Sequence, residues 1–304
     1  MKRIVECVPN FSEGRKRDVI QNLAGEIAGT EGACVLDMHI DPDHNRSVIT
    51  FVATPEHVVE AAVRVTARAA ELIDMRTHQG EHPRLGATDV LPFVPIEGVT
   101  IEDCSLLARQ AGRRIAKELS IPVYFYERAA LRSDRVNLED VRRGALELLR
   151  EQIAVAPDRA PDFGPLRVHE TAGAIAVGAR PLLIAFNVNL RTNDLSIARQ
   201  VARVVRARNG GLPFVKALGF NLASRGLVQV SMNLLNYKVS GMKEGYEAVV
   251  KAANTLGVEV SGAEIVGLVP RDALDRSAAY FSKLENFSEN KILEHQLEKC
   301  LSQI

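Results

Sequence analysis

The densest group of chemically reactive side chains lies between a long predicted helix and a predicted strand. Residues 77–89 read THQGEHPRLGATD and contain two histidines together with Glu81, Arg84 and Asp89. Histidine has an ordinary pKa near neutrality, so its imidazole suits proton transfer. We favour a rigid loop that holds one imidazole for general acid–base chemistry.

Two other interpretations of this segment remain open. His78 and His82 are four residues apart, a spacing that on one face of a helix would suit zinc. Gly80 and Pro83 argue against a continuous helix, and the four cysteines of the chain include no C-x-x-C pair. We therefore expect no metal site. An ordinary surface or core histidine is the other alternative.

Two earlier segments carry candidate ligand contacts. Asn10 lies in the segment VPNFSEG, whose small polar groups could face a ligand, although a simple strand-to-helix turn capped by Ser12 would use the same residues. Arg46 follows the turn sequence DPDHN at the mouth of a strand. There it could bind a carboxylate through two hydrogen bonds, and an ordinary surface arginine fits equally well.

The second half of the chain contains strands with one polar face. Asn187 and Asn189 alternate with apolar residues, and Gln229, Ser231 and Asn233 share one face of another predicted strand. Such a face could be solvated or could line a ligand cleft.

The composition is that of an ordinary globular protein without a charge bias. Of 304 residues, 46% are hydrophobic and 25% are charged, with 38 Lys and Arg against 38 Asp and Glu. A nucleic-acid surface normally shows a basic excess, and no apolar run reaches the ~18 residues of a membrane span. The N-terminus lacks the long apolar stretch of a signal peptide. We expect a cytoplasmic protein whose partners are small molecules, not nucleic acid or membrane.

Periodicity and turn residues predict the elements that position these side chains. In the first half we predict strands at 4–8, 33–40, 46–53, 90–95 and 123–126, and helices at 17–28, 54–73 and 101–119. Ser12 or Gly14 is expected to precede the first helix. Residues 156–166, which are rich in proline, are predicted to be a connecting segment. The sequence PDFGP at 161–165, followed by AGA at 172–174 and GAR at 178–180, resembles no regular element and would be either a linker between the halves or a segment that lines a ligand site.

The second half repeats the order of the first. We predict strands at 182–188, 215–221, 227–234 and 264–268, helices at 193–208 and 241–256, and a terminal helix within 285–304. The order β-α-β-β-α-β, which thus occurs twice, is that of a ferredoxin-like fold. We predict an α/β (α+β) protein with two ferredoxin-like subdomains, 1–180 and 181–304. They would pack together with a ligand cleft between them.

Several long motifs, in order, resemble one known family over nearly the whole chain. They are VECVPNFSEG at 5–14, GEHPR at 80–84, APDFGP at 160–165, AFNVNL at 185–190, VSMNLL at 230–235 and LVP at 268–270. They closely resemble glutamate formiminotransferase, a module that bifunctional formiminotransferase-cyclodeaminases also contain. The present chain is expected to lack the cyclodeaminase domain.

The resemblance implies a reaction and its site residues. It implies transfer of the formimino group from N-formimino-L-glutamate to tetrahydrofolate, a co-substrate, with His82 as the catalytic acid/base and without a metal. It implies a homodimer, a role in histidine degradation, and folate contacts at Gly164, Pro165, Leu166, Arg167, Val168, His169, Glu170, Thr171, Ala172 and Gly173. The substrate-binding candidates are Asn10, Arg46, Arg84, Asn187, Asn189 and Gln229.

One departure and two alternatives accompany this resemblance. The family often has an acidic residue where this chain has His39, so that any role in proton transfer would pass to Asp37 or Asp41 or be absent. The same pocket could serve an enzyme that uses 5-formyltetrahydrofolate, either as a formyltransferase or in a cycloligase-like reaction. Paired ferredoxin-like units also occur in noncatalytic sensors of folates or amino acids.

Overall fold

Two β-sheets, one in each half of the chain, organise the structure. The computed structural model describes residues 2–275, 284–285 and 287–301. The chain divides into two compact units between Pro181 and Leu182. Parts of the predicted C-terminal subdomain and terminal helix, namely 276–283, 286 and 302–304, lie outside the described residues.

The first unit contains seven strands and five α-helices among its described residues. They are β1 Ile4–Cys7, β2 Asn10–Phe11, α1 Arg17–Ala28, β3 Ala33–Asp41, β4 Arg46–Ala53, α2 Pro55–Leu72, β5 Thr88–Glu97, α3 Ile101–Leu119, β6 Val123–Glu127, α4 Leu138–Val141, α5 Ala145–Gln152 and β7 Ile175–Ala179. β1 and β2 both lie between β4 and β5, and β3 extends the sheet beyond β4. β7 lies between β5 and β6 and is parallel to both.

The two faces of this sheet carry different side chains, because successive residues of a strand point to opposite sides. Phe51, Phe93 and Phe125 belong to the core cluster that includes the apolar residues of α1, α2 and α3. On β4, the side chains of Arg46 and Thr50 alternate with that of Phe51 and lie on the opposite face of the sheet, and both are buried. That opposite face supplies the candidate site.

The second unit has a four-stranded sheet in which all neighbouring strands are antiparallel. Its elements are β8 Ile184–Leu190, α6 Leu195–Val205, β9 Val215–Leu222, β10 Leu227–Leu234, α7 Met242–Thr255, β11 Val260–Val266, α8 Arg271–Asp275 and α9 Leu293–Leu301. The strand order is β11-β8-β10-β9. Alternate residues such as Phe186, Val188 and Val230 form one core cluster with α6 and α7.

Most predicted elements are confirmed. Helix α3 has the predicted bounds, β3 pairs with β4 and β9 with β10 as antiparallel hairpins, and Asp194 caps α6 by accepting a hydrogen bond from the Ser196 amide at 2.8 Å. The terminal helix begins only at Leu293. None of the helices in the described part of the chain has the length and hydropathy needed to cross a membrane.

Two predictions of local structure are wrong. Residues 172–180 are not merely a connection, since β7 is a fully buried strand in which alternation carries no signal. Ser12 does not cap α1, whose N-cap is Lys16; the Ser12 hydroxyl instead donates to the Gly86 carbonyl at 2.7 Å. The short helices α4 and α5 were not predicted.

Gly86 allows the segment before β5 to approach the segment before β7. The Ala87 amide donates to Ala172 O and the Ala174 amide donates to Leu85 O, both at 2.9 Å. A Cβ on Gly86 would lie 2.2 Å from Ala174 O and 2.3 Å from Ala172 O. Only glycine permits this contact.

We therefore expect Gly86→Ala to lower the free energy of unfolding by about 1–3 kcal/mol, because backbone must move to admit the methyl group. Unfolding in urea can be followed by circular dichroism, since the chain has no tryptophan. The control is Gly25→Ala within α1, where the new methyl group meets nothing within 4 Å. It should stabilise the protein by about 0.5–1 kcal/mol. Equal stability of both variants would contradict the argument.

Candidate active site

A buried carboxylate, that of Asp89, joins three separate parts of the first unit. Its Oδ2 accepts a hydrogen bond from Arg46 Nη1 on β4 at 2.7 Å and another from Arg142 Nη2, immediately after α4. Its Oδ1 accepts the Leu85 amide at 2.8 Å. Asp89 is fully buried, so these contacts take the place of water around its charge.

The charges of this cluster do not cancel. Burial by itself raises the pKa of Asp89, but the guanidinium groups of Arg142 and Arg46 lower it to about 2. Burial lowers the pKa of Arg46 to about 10, against the opposing effect of Asp89, so Arg46 remains protonated at neutral pH. Two guanidinium groups with one carboxylate leave an excess positive charge, which suits an anionic ligand.

Asn10 orients Arg46. Its Oδ1 accepts hydrogen bonds from Arg46 Nη2 at 2.8 Å and Nε at 3.2 Å, and its own amide nitrogen donates to Val8 O at 2.8 Å. A guanidinium has five N–H groups, so the bonds to Asn10 and Asp89 leave some of those of Arg46 for a ligand. The buried Nε of Arg142 has no partner among the described residues.

The imidazole of His82 is held as a neutral base beside these charges. Its Nδ1 lies 2.8 Å from Pro83 O. A carbonyl only accepts, so Nδ1 carries the proton and Nε2 carries the lone pair. Burial lowers the pKa of His82 well below its usual range, and the charges of Arg46 and Arg142 lower it further.

Two residues of the same loop serve to hold its shape. Arg84 donates from Nη2 and Nη1 to the Glu147 carboxylate at 2.7 and 2.9 Å, and from Nε to His78 Nδ1 at 3.2 Å. His78 Nε2 in turn contacts Asn45 O at 3.0 Å. With both ring nitrogens engaged, His78 offers none to a metal. Within the described ranges, no cluster of three or more His, Cys, Asp or Glu is arranged to hold an ion.

The segment that the family resemblance assigns to folate adjoins this loop. The Thr171 carbonyl accepts a hydrogen bond from the Met75 amide at 2.8 Å. The Ala172 carbonyl accepts one from the amide of Ala87, just beyond the His82 loop. His169 and Gly173 close a tight turn through two backbone hydrogen bonds. Nearer its start the segment is more open, with Gly164, Leu166 and Arg167 exposed.

The other candidates belong to the second unit. Asn187, Asn189 and Gln229 lie on the sheet face opposite α6 and α7, and all three are buried. Asn187 and Gln229 both donate to Glu264 on β11, at 3.1 and 2.8 Å.

Sequence reasoning did not single out Arg142 or Glu264. Arg142 follows a short helix that was not predicted. Glu264 could have been found, because Ala263 and Ile265 beside it are apolar and fully buried, which leaves it on the polar face.

The fold and side chains define an α/β protein with a cationic site and a neutral imidazole, a combination suited to proton transfer on an anionic substrate. The chain belongs to the formiminotransferase family. Residues 4–180 match the formiminotransferase domain, N-terminal subdomain, and residues 185–300 match the formiminotransferase domain. The family resemblance is thus confirmed.

Relatives of known name agree with this assignment. The chain is 47% identical to a glutamate formimidoyltransferase of Thermoplasma acidophilum over 98% of each chain. It is 44% identical to that of Streptococcus pyogenes serotype M1, over 98% of this chain and 99% of the other. It is 43% identical to the formimidoyltransferase-cyclodeaminase of Sus scrofa over 94% of this chain but only 54% of that protein.

The charges around His82 generate a testable prediction. Arg142→Met removes a cation that lowers the pKa of His82, so this pKa should rise towards its ordinary value. An NMR titration of labelled histidines, with the His82 resonance assigned by its loss in His82→Ala, measures the shift. The matched control is Arg143→Met, because the Arg143 side chain is 63% exposed and pairs with Asp158. An unchanged pKa in Arg142→Met, or the same rise in the control, would contradict the electrostatic argument.

Proposed function

We propose that this protein transfers the formimino group of N-formimino-L-glutamate to tetrahydrofolate and releases L-glutamate and 5-formiminotetrahydrofolate. The supporting observation is a neutral His82 beside the buried Arg46 and the half-buried Arg142, in a chain 47% identical to a glutamate formimidoyltransferase over nearly its full length. A histidine in this state can accept a proton at neutral pH.

The proposed chemistry requires two proton transfers. The N5 lone pair of tetrahydrofolate forms a bond to the amidine carbon, the C=N π pair moves onto the terminal amidine nitrogen, and N5 gives up its proton to Nε2 of His82. The protonated imidazole then donates to the glutamate nitrogen. This nitrogen leaves with the electron pair of the breaking C–N bond as the C=N bond reforms on folate. General acid–base catalysis of this kind typically contributes ~10²–10⁴-fold.

The arginines are proposed to bind a substrate carboxylate. Arg46 is oriented by Asn10, and Arg142 has a buried Nε without a partner in the described chain, so both can donate to an anion. Arg84 is a less suitable candidate, because its guanidinium is already bonded to Glu147 and His78. Residues 164–173 are proposed to contact folate, a role that their hydrogen bonds to the segments flanking the His82 loop support.

The acidic role that the family often has at the position of His39 is proposed to pass to Asp41. The Asp41 carboxylate accepts the His44 amide at 2.9 Å, and its Oδ2 lies 3.9 Å from His44 Nε2. The rings of His44 and His82 are in edge contact, with centroids 6.2 Å apart. This contact supports Asp41 over Asp37.

The finer architecture is part of the proposal. Each unit contains a β-α-β-β-α-β order, and the strand order β11-β8-β10-β9 supports a ferredoxin-like subdomain at 181–304. We assign 1–180 to the other subdomain, with β6 and β7 added to its sheet. A homodimer and a role in histidine degradation are proposals that follow from the family resemblance, and the cytoplasmic location is a proposal from the sequence.

The assay mixes the protein with tetrahydrofolate and N-formimino-L-glutamate and measures glutamate release, with formyl donors in parallel. We expect release with the formimino donor alone. Activity only with 5-formyltetrahydrofolate would replace the proposed reaction by formyl chemistry. Inactivity with every donor, combined with folate binding, would make the protein a sensor.

His82→Ala tests the catalytic assignment. The variant should lose ~10²–10⁴-fold in kcat while it still binds tetrahydrofolate, because the imidazole acts on protons in the reaction. The control is His57→Ala at the start of α2, where the ring contacts the Thr54 hydroxyl at 3.1 Å outside the site. Equal turnover of His82→Ala and the wild type would refute the role of His82.

A further inference from the structure

A chain of hydrogen-bonded amides and carboxylates crosses the sheet face of the second unit that lies opposite α6 and α7. Gln229 on β10 is in register with Asn189 on β8, and Glu264 on β11 is in register with Asn187 on β8. Gln229 Nε2 donates to both Glu264 Oε1, at 2.8 Å, and Asn189 Oδ1, at 3.0 Å. Asn189 Nδ2 donates to Glu285 Oε1 at 3.2 Å.

The two carboxylates determine the orientation of every amide in this network. An ionised carboxylate only accepts, so each amide must turn its NH₂ group towards it. Asn187 and Gln229 therefore direct their nitrogens at Glu264, and Asn189 directs its nitrogen at Glu285. The NH₂ groups of these amides therefore donate within the network, and the atoms left without a partner are acceptors.

Two acceptors remain next to each other. Asn187 Oδ1 is buried and has no partner among the described residues. Glu264 receives both amides at Oε1, and no side chain within the described ranges donates to its Oε2. The nearby Arg225 pairs with Glu285 at 2.8 Å instead. A half-buried carboxylate without a cation is costly, so a ligand that brings N–H groups would be favoured here.

We propose that Glu264 and Asn187 bind a planar H–N–C–N–H edge of a substrate. This inference rests on the proposed function, because both of its substrates carry such an edge. In N-formimino-L-glutamate the edge is the amidine; in tetrahydrofolate it is N3–H with the 2-amino group of the pteridine. Glu264 Oε2 accepts one N–H group of such an edge and Asn187 Oδ1 accepts the other, so the edge meets the two acceptors that the network leaves. The neighbouring amides hold the carboxylate in position.

Glu264→Gln separates ligand binding from folding. The glutamine carbonyl can still accept from Asn187 and Gln229, so the internal network is kept. Its NH₂ group then replaces Oε2, and the acceptor offered to the ligand becomes a donor that opposes the N–H edge. We expect the Kd of the substrate that uses this edge to rise roughly ten- to a hundredfold, the effect of losing a hydrogen bond to a charged group.

The experiment measures the binding of tetrahydrofolate and of N-formimino-L-glutamate separately by calorimetry, for wild type and Glu264→Gln. Weaker binding of tetrahydrofolate alone assigns the edge to the pteridine, and weaker binding of the glutamate derivative alone assigns it to the amidine. The control is Glu259→Gln, immediately before β11, whose side chain is 86% exposed. It should bind both ligands as the wild type does. Circular dichroism and thermal unfolding confirm that each variant is folded.

The outcomes distinguish this inference from the proposed function. Wild-type turnover with unchanged Kd values for both ligands in Glu264→Gln would overturn the inference and leave the function standing. Selective loss of one ligand by Glu264→Gln, in a protein whose wild type binds both ligands without turnover, would support the binding role and overturn the function. A wild type that binds neither ligand would overturn both.

Discussion

The ion pairs of Asp89 are the interaction on which the candidate site depends. A fully buried carboxylate is tolerated only when other groups replace its water, and here Arg46, Arg142 and the Leu85 amide do so. These partners come from β4, from the end of α4 and from the loop that follows His82. The carboxylate of Asp89 therefore links a strand, a short helix and the His82 loop. Replacing Asp89 by a neutral residue would leave two guanidinium groups without a negative counter-charge.

The state of His82 follows from the same cluster. Burial and the two cations disfavour the imidazolium ion, while the Pro83 carbonyl holds the proton on Nδ1. A neutral ring with its lone pair on Nε2 needs no change of ionisation before it accepts a proton.

The polar face of the second unit leaves acceptors, whereas the site of the first unit leaves donors. Its amide donors are consumed by Glu264 and Glu285, so acceptors remain. One unit therefore suits anions and the other suits N–H donors.

Much of the fold could be predicted from the sequence because amphipathic helices and two-sided strands carry a periodic signal. Helix α3 and the hairpin of β3 and β4 show it clearly. Strand β7 does not, since it is short, rich in alanine and buried on both faces, so no polar residue marks its alternation. The short helices α4 and α5 lack the length at which a periodic pattern becomes visible.

The sequence by itself determined the family, most of the elements and the polar loop that contains His82, because these depend on contiguous motifs and local periodicity. Only the tertiary structure decided which side chains accompany that histidine. Arg46 and Arg142 are 43 and 53 residues from Asp89, and Gln229 is 35 from Glu264. Such partners meet only when strands and helices pack. The tertiary structure also pairs Arg84 with Glu147. Which arginine remains available to a ligand therefore depends on its position in the fold and not on its residue type.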